Sequence, residues 1–245
     1  MRSAMTLGGE PFAEVVEQPT MASPRSPENV MPARLADAVL FDLDGTLIDS
    51  FPAIAASVNH VRSLHRLSPL SVEEVTRCVG RGPTHLLRET VGVGDLGANV
   101  EAYREHHPSV IQSGTRWLPG ALEMLQALHA QGLELGICSN KPIAFTRLIL
   151  AGFTSESLFD IVLGPEDAGR HKPAPDILLL AMARLGVGPE ETLYVGDMTV
   201  DIQTARAAGV RVWVEPTGSD TDESLDAARP DRRLRDLNEL AEAFA

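Results

Sequence analysis

Five short, mostly apolar runs recur along this chain, at residues 38–41, 133–138, 160–163, 192–195 and 210–214. Their length and their Gly, Ser or Asp boundaries suit buried parallel strands. Helical stretches separate the later runs. Leu122, Leu125 and Leu128 share one face and stop before Gly132. Pro142 opens a second helix, with Gly152 past its end. Pro175 opens a third that ends at Gly186, and a fourth runs from Asp201 to Ala208 before Gly209. Pro at the start and Gly beyond the end is the asymmetry expected of helices. Alternating strand and helix predicts a mostly parallel sheet with helices on both faces.

Residues 51–114 break that rhythm. Ile54, Val58 and Val61 line one helical face; Ser71 and Glu74 form a capping box; Pro83 precedes Leu86, Leu87 and Val91; and Leu96, Val100 and Tyr103 mark a further helix. The fold class is therefore α/β: a Rossmann-like open sheet, mostly parallel, with a small helical cap domain inserted after the first strand. Residues 36–50 and 115–245 are the expected core and residues 51–114 the cap. Residues 1–35 carry five prolines in a polar stretch without periodicity and read as a disordered arm, with Met31 as an alternative start. Asp220, Asp222, Glu223 and Asp226 read as a solvated loop, and Leu234, Leu237, Leu240 and Phe244 as a last short helix.

Composition narrows the function. A formal charge of −13 argues against nucleic-acid or anionic-membrane partners. Apolar residues at 44% allow a full core, while aromatics at 4% leave little for a base-stacking surface. Cys78 and Cys138 lack CxxC partners, so neither a disulfide framework nor a zinc site is expected. No apolar run reaches membrane-span length and no signal peptide is apparent, so a cytoplasmic location is expected.

In open parallel sheets, ligands bind beyond the carboxyl ends of the strands. The residues just past those ends are Asp42 and Asp44; Ser139, Asn140 and Lys141; Glu166, Asp167 and His171-Lys172-Pro173; and Asp197 with Asp201. Carboxylates with water suit Mg²⁺, and Asp42 and Asp197 are placed to share one ion. With a cation nearby, Asp42 can attack phosphorus. Asp44 can protonate the leaving oxygen and then activate water. Ser139 can hold phosphoryl oxygens, and Lys172 supplies fixed positive charge.

The chain resembles phosphatases of the haloacid dehalogenase superfamily, in their phosphoglycolate phosphatase-like branch. The matching residues are Asp42-x-Asp44-Gly45-Thr46-Leu47-x-Asp49-Ser50, Ser139-Asn140-Lys141, His171-Lys172-Pro173-x-Pro175 and Gly196-Asp197-x-x-x-Asp201. One such motif is weak; four in order, at strand ends, are specific. The resemblance covers residues 36 to 240 or so. It implies Asp42 as nucleophile and metal ligand. It also implies Asp44 as general acid/base with its backbone carbonyl on the metal, Lys172 as catalytic cation, and Asp197 as the other metal ligand. Asp201 is expected to orient Lys172. Ser139, Asn140, Thr46 and Arg81 are the expected substrate contacts. Dehalogenases lack the second Asp of the first motif, and transport ATPases carry Thr there; Asp44 argues for phosphate and for rapid hydrolysis of the intermediate.

Each feature alone has a plainer reading. Asp before Gly45 is ordinary turn chemistry, Ser139 and Asn140 suit a helix start, and Asp201 complements a helix dipole. Gly80-Arg81-Gly82 resembles half of a dinucleotide fingerprint but lacks the third glycine and a preceding strand, so it reads as a loop over the site. The expected activity is Mg²⁺-dependent hydrolysis of a small phosphorylated metabolite, 2-phosphoglycolate first, through an aspartyl-phosphate. A pyrophosphatase, a phosphosugar mutase or a non-catalytic binding module on the same scaffold are the alternatives. Oligomeric state is open.

Overall fold

The computed structural model describes residues 34–245, so residues 1–33 of the expected arm lie outside the described residues. Arg34 and Leu35, at its end, lie against the fold: Arg34 donates to the Gln131 carbonyl at 2.6 Å, and the Leu35 carbonyl accepts from Arg211.

The main sheet is built from β1 (Ala38–Phe41), β4 (Glu134–Cys138), β5 (Ile161–Leu163), β6 (Thr192–Gly196), β7 (Arg211–Val214) and β8 (Arg232–Arg233). Its order is β5-β4-β1-β6-β7-β8, and every neighbouring pair is parallel. The five apolar runs thus become the five longer strands, within a residue or two at each end. β8 escaped the sequence because two arginines carry no strand pattern; it is held by pairing with Trp213 and Val214. The remaining ribbon, β2 (Ile48–Asp49) against β3 (Arg116–Trp117), is antiparallel and was also not foreseen.

Side chains alternate across the sheet, as a period of two requires. Val39 and Phe41 face one apolar layer with α5 (Ala121–Ala130), α6 (Ile143–Gly152) and α11 (Asn238–Ala243). Leu40 faces the other, with α8 (Asp176–Leu185), α9 (Thr199–Ala208) and α10 (Asp222–Ala228). A one-turn helix, α7 (Pro165–Ala168), stands where a loop was expected, with Asp167 accepting from the Gly164 amide. α10 replaces the loop expected for the acidic stretch. Thr221 caps it by accepting from the Ser224 amide, and Arg233 pairs with Asp222 and Asp226. Leu234 and Leu237 are buried as expected but precede α11 rather than lie in it.

Between β2 and β3 the chain makes a helical insertion: α1 (Phe51–Leu64), α2 (Val72–Thr76), α3 (Pro83–Thr90) and α4 (Leu96–Val110). Ile54, Val58 and Val61 are buried in α1, and the Ser71–Glu74 capping box starts α2. The β2–β3 ribbon pairs the two strands where the chain leaves and re-enters the sheet layer. β1 is flanked by β4 on one side and β6 on the other, so its end is a topological switch point, where a crevice opens beyond the strands. Among the described residues, no helix is long and apolar enough to cross a membrane.

Candidate active site

The ends of β1, β4 and β6 bring Asp42, Ser139 and Asp197 to that crevice, and the segment after α7 adds Lys172. All four are buried. Lys172 Nζ lies 2.8 Å from Asp42 Oδ1 and 2.6 Å from Asp201 Oδ1. It also donates to the Tyr194 hydroxyl at 3.0 Å. That hydroxyl in turn donates to the Cys138 carbonyl at 2.9 Å. Burial alone works to lower the Lys172 pKa, but the Asp201 and Asp42 carboxylates outweigh it and hold the ammonium charged.

Asp201 is fully occupied. Its Oδ1 takes Lys172 and Tyr194, and its Oδ2 takes the Asp197 and Met198 amides at 3.2 and 3.0 Å. Asp201 thus binds the first turn of α9 through its Oδ2 and Lys172 through its Oδ1.

Asp197 differs. Its Oδ1 accepts from Thr46 Oγ1 at 2.6 Å, while its Oδ2 is buried without a hydrogen-bond partner. Burial, then the Asp201 and Asp42 charges, push its carboxyl well above the usual range. The space around Oδ2 is kept by two glycines: a Cβ on Gly45 would come within 2.4 Å of it, and one on Gly218 within 2.0 Å. Asp42, Asp197 and Asp201 each place an oxygen within 4.8 Å of the others. Counting Asp44 and Lys141, four carboxylates face two ammonium groups around this crevice, leaving a formal −2. An orphaned oxygen, a glycine cradle and that charge deficit fit one divalent cation held by oxygen ligands.

Asp44 sits in a different set of contacts. It accepts from Ser50 Oγ at 2.5 Å, and Lys141 Nζ lies 3.0 and 3.1 Å from its two oxygens. Ser139 Oγ accepts from the Lys141 amide at 3.3 Å, so its proton is free for a ligand.

A pocket opens from this rim. Asp42, Asp44, Ser139, Asn140 and Lys141 form its floor, and Ile54, Val79, Leu86, Tyr103 and Phe145 line much of the rest. Burial keeps the Tyr103 phenol protonated, with the Asp44 charge adding to the effect.

Three expected substrate contacts are placed differently. Thr46 does not line the pocket; it holds Asp197. Asn140 lines it, but its amide is spent on structure. Its Oδ1 accepts from the Lys172 amide at 2.8 Å, and its Nδ2 donates to the Lys172 and Gly80 carbonyls at 3.2 and 2.9 Å. Arg81 is exposed and absent from the lining, although Gly80 and Gly82 beside it do line the pocket. The loop thus reaches the pocket through its glycines, with its arginine turned to solvent. Two polar groups escaped the site reading. Tyr194 looked like one more residue of a buried strand. Lys141 was visible beside Ser139, but nothing in the sequence says that its ammonium reaches Asp44, 97 residues away.

A parallel sheet with an acidic, lysine-bearing rim at its switch point and helices inserted after the first strand defines a class of hydrolase. Residues 39–214 match the family described as haloacid dehalogenase-like hydrolase, and the chain belongs to that family. Its similarity extends to the phosphoglycolate phosphatases of Shigella boydii, 33% identical, and Escherichia coli K12, 32% identical. Each alignment spans 230 residues, 84% of this chain and 91% of the relative. Among solved structures, a haloacid dehalogenase-like hydrolase from Bacteroides fragilis superposes with a TM-score of 0.79 at 33% identity, over 84% of this chain and 99% of that one. A predicted phosphoglycolate phosphatase from Haemophilus somnus superposes with a TM-score of 0.78 at 25% identity, over 87% of this chain and all of the other. Within the family, the enzyme is a phosphatase.

Proposed function

We propose that this phosphatase hydrolyses small phosphomonoesters through a covalent aspartyl-phosphate on Asp42, with Mg²⁺ as cofactor and 2-phosphoglycolate as the favoured substrate. The observation that carries the reading is the pairing of Asp42 with Lys172 at 2.8 Å beside the orphaned Oδ2 of Asp197. Asp42, Asp197 and the backbone carbonyl of Asp44 would hold the ion. When bound, it would offset the repulsion between these carboxylates and a phosphate dianion.

The chain's own groups account for the rest. Asp42 Oδ attacks phosphorus as the ester P–O bond breaks, and the bonding pair leaves with the ester oxygen. Asp44 gives that oxygen its proton. Water then attacks the phosphorus of the acyl phosphate while Asp44 takes a proton back. Inorganic phosphate departs and Asp42 is restored. Lys172 and the Ser139 hydroxyl hold the phosphoryl oxygens as charge shifts onto them. The helices of residues 51–114 act as a cap that encloses the leaving group. The choice of 2-phosphoglycolate is supported by likeness to the phosphatases of that name.

The test is phosphate release from 2-phosphoglycolate, pyrophosphate, hexose phosphates and nucleotides with Mg²⁺, with Asp42→Asn as the blank. The expected result is highest kcat/KM on phosphoglycolate and none without a divalent ion. A different best substrate would move the specificity and leave the mechanism; wild type equal to the blank on every ester would overturn both.

A further inference from the structure

We propose that Lys141 recognises a second anion on the substrate, so that the pocket selects phosphoesters whose leaving group carries its own negative charge. The inference rests on the phosphatase reading above and adds a residue to it. Among the described residues, Lys141 is the one cation in the pocket lining, and its side chain is 3% exposed. Above the floor the wall is largely apolar, with Ile54, Leu86 and Phe145 among its residues. Arg81, the cation among the expected substrate contacts, faces solvent.

The geometry makes Lys141 available only by exchange. Both oxygens of Asp44 now lie within 3.1 Å of its Nζ. Asp44 has to turn toward the ester oxygen to work on it, and one small carboxylate cannot keep that double contact and serve the ester as well. Lys141 would then stand buried and without an anion, a state that is strongly unfavourable. A carboxylate on the leaving group can take the place of Asp44. The substrate itself thereby frees the acid that acts on it. An ester with a neutral leaving group offers no such exchange.

The experiment compares 2-phosphoglycolate with ethyl phosphate, which has the same chain but a methyl where the carboxylate stands. KM and kcat are measured for wild type, Lys141→Gln and Arg81→Ala, all with Mg²⁺. For wild type, the KM for phosphoglycolate should be lower by about 10- to 100-fold, the range for one charge-assisted hydrogen bond. In Lys141→Gln, the ratio of kcat/KM between the two esters should fall by the same factor, mainly through KM for phosphoglycolate. Arg81→Ala should keep the wild-type ratio. Equal KM values for the two esters in wild type would overturn the inference and leave the phosphatase reading standing, with no need for a folded variant. It would also be overturned if Lys141→Gln lowered both esters alike, because Lys141 would then serve Asp44 alone. Hydrolysis of neither ester by wild type would overturn this inference, and the phosphatase reading would fall with it only if every other phosphoester were refused as well.

Discussion

The sheet rim and the inserted helices meet at one pocket but are built on opposite principles. At the rim, polar groups are buried and tied to one another: Lys172, Asp201, Tyr194, Asn140 and Thr46 each hold a neighbour in place. On the helical side, the pocket is met by Ile54, Val79 and Leu86, whose contact is by shape, and by the backbone of Gly80 and Gly82. A preorganised set of charges fixes which bond can be broken, because its energy depends on distances of tenths of an ångström. An apolar wall discriminates weakly, at about 1–3 kcal/mol per methylene, and can be redrawn without touching the chemistry. The difference gives the proposed reaction to the rim and the proposed selectivity to the place where the wall and Lys141 would meet the leaving group.

The largest expected effects break the rim. Asp42→Asn should lower kcat by at least ~10³-fold, as loss of a nucleophile does, while circular dichroism and the melting temperature stay near wild type. Residual turnover within tenfold of wild type would mean another nucleophile. Asp197→Asn tests the cation. Wild type should melt at a higher temperature with millimolar Mg²⁺ than with EDTA, because an ion that binds only the folded state stabilises it. The variant should lose that increment, and without metal should melt above wild type, since it no longer buries a carboxyl beside Asp42 and Asp201. A variant that kept the full Mg²⁺ increment would remove Asp197 from the ion.

These rim residues are also the ones that the sequence made legible. Asp42, Asp44, Ser139 and Asp197 lie at or just past strand ends, Lys172 and Asp201 follow in the segments that leave those ends, and strand ends are readable from apolar runs. Their convergence needed only the rule for parallel sheets. Arg81, Thr46 and Asn140 show where such reading stops. A residue's place on a loop does not reveal whether its side chain faces a ligand, a neighbour or water; three hydrogen bonds decide it for Asn140, and solvent exposure for Arg81. β8 and the β2–β3 ribbon were hidden for a related reason. Strands of two residues are made by their partners, not by their own pattern.

A smaller effect should follow from the contact that joins the two regions. Gly80 has φ +109°, and a Cβ there would meet Met198 Sδ at 2.7 Å. Gly80→Ala should displace the loop and lower kcat/KM by about tenfold, consistent with strain of 1–3 kcal/mol at such a site. Met198→Ala should restore part of the loss by removing the clash, though not the backbone strain. If Gly80→Ala left kcat/KM unchanged on every ester, the loop would not shape the pocket.

The smallest effect sets the two regions against each other in pH. Glu215, past the end of β7, is pushed up to about 7 by burial and then by Asp236. Its ordinary value is 4.5, so between 4.5 and 7 the folded chain holds a proton that the unfolded chain has lost. Stability therefore falls as pH rises through that window. His107, on α4 of the insertion, is pushed down to about 3 by burial, with Lys141 and His106 adding to it. Between 6.5 and 3 the unfolded chain takes a proton that the folded one refuses, so stability falls as pH drops. From pH 4.5 to 6.5 the two slopes oppose, and wild-type stability in urea should vary by only about 1 kcal/mol. Each variant exposes the other slope. Glu215→Gln should gain on wild type at pH 8 and rise steadily with pH from 4.5 to 6.5. His107→Gln should lose the acid limb and fall across the same interval. If both variants kept the flat wild-type profile, neither burial would control stability, and the pH response would belong to the carboxylates of the rim.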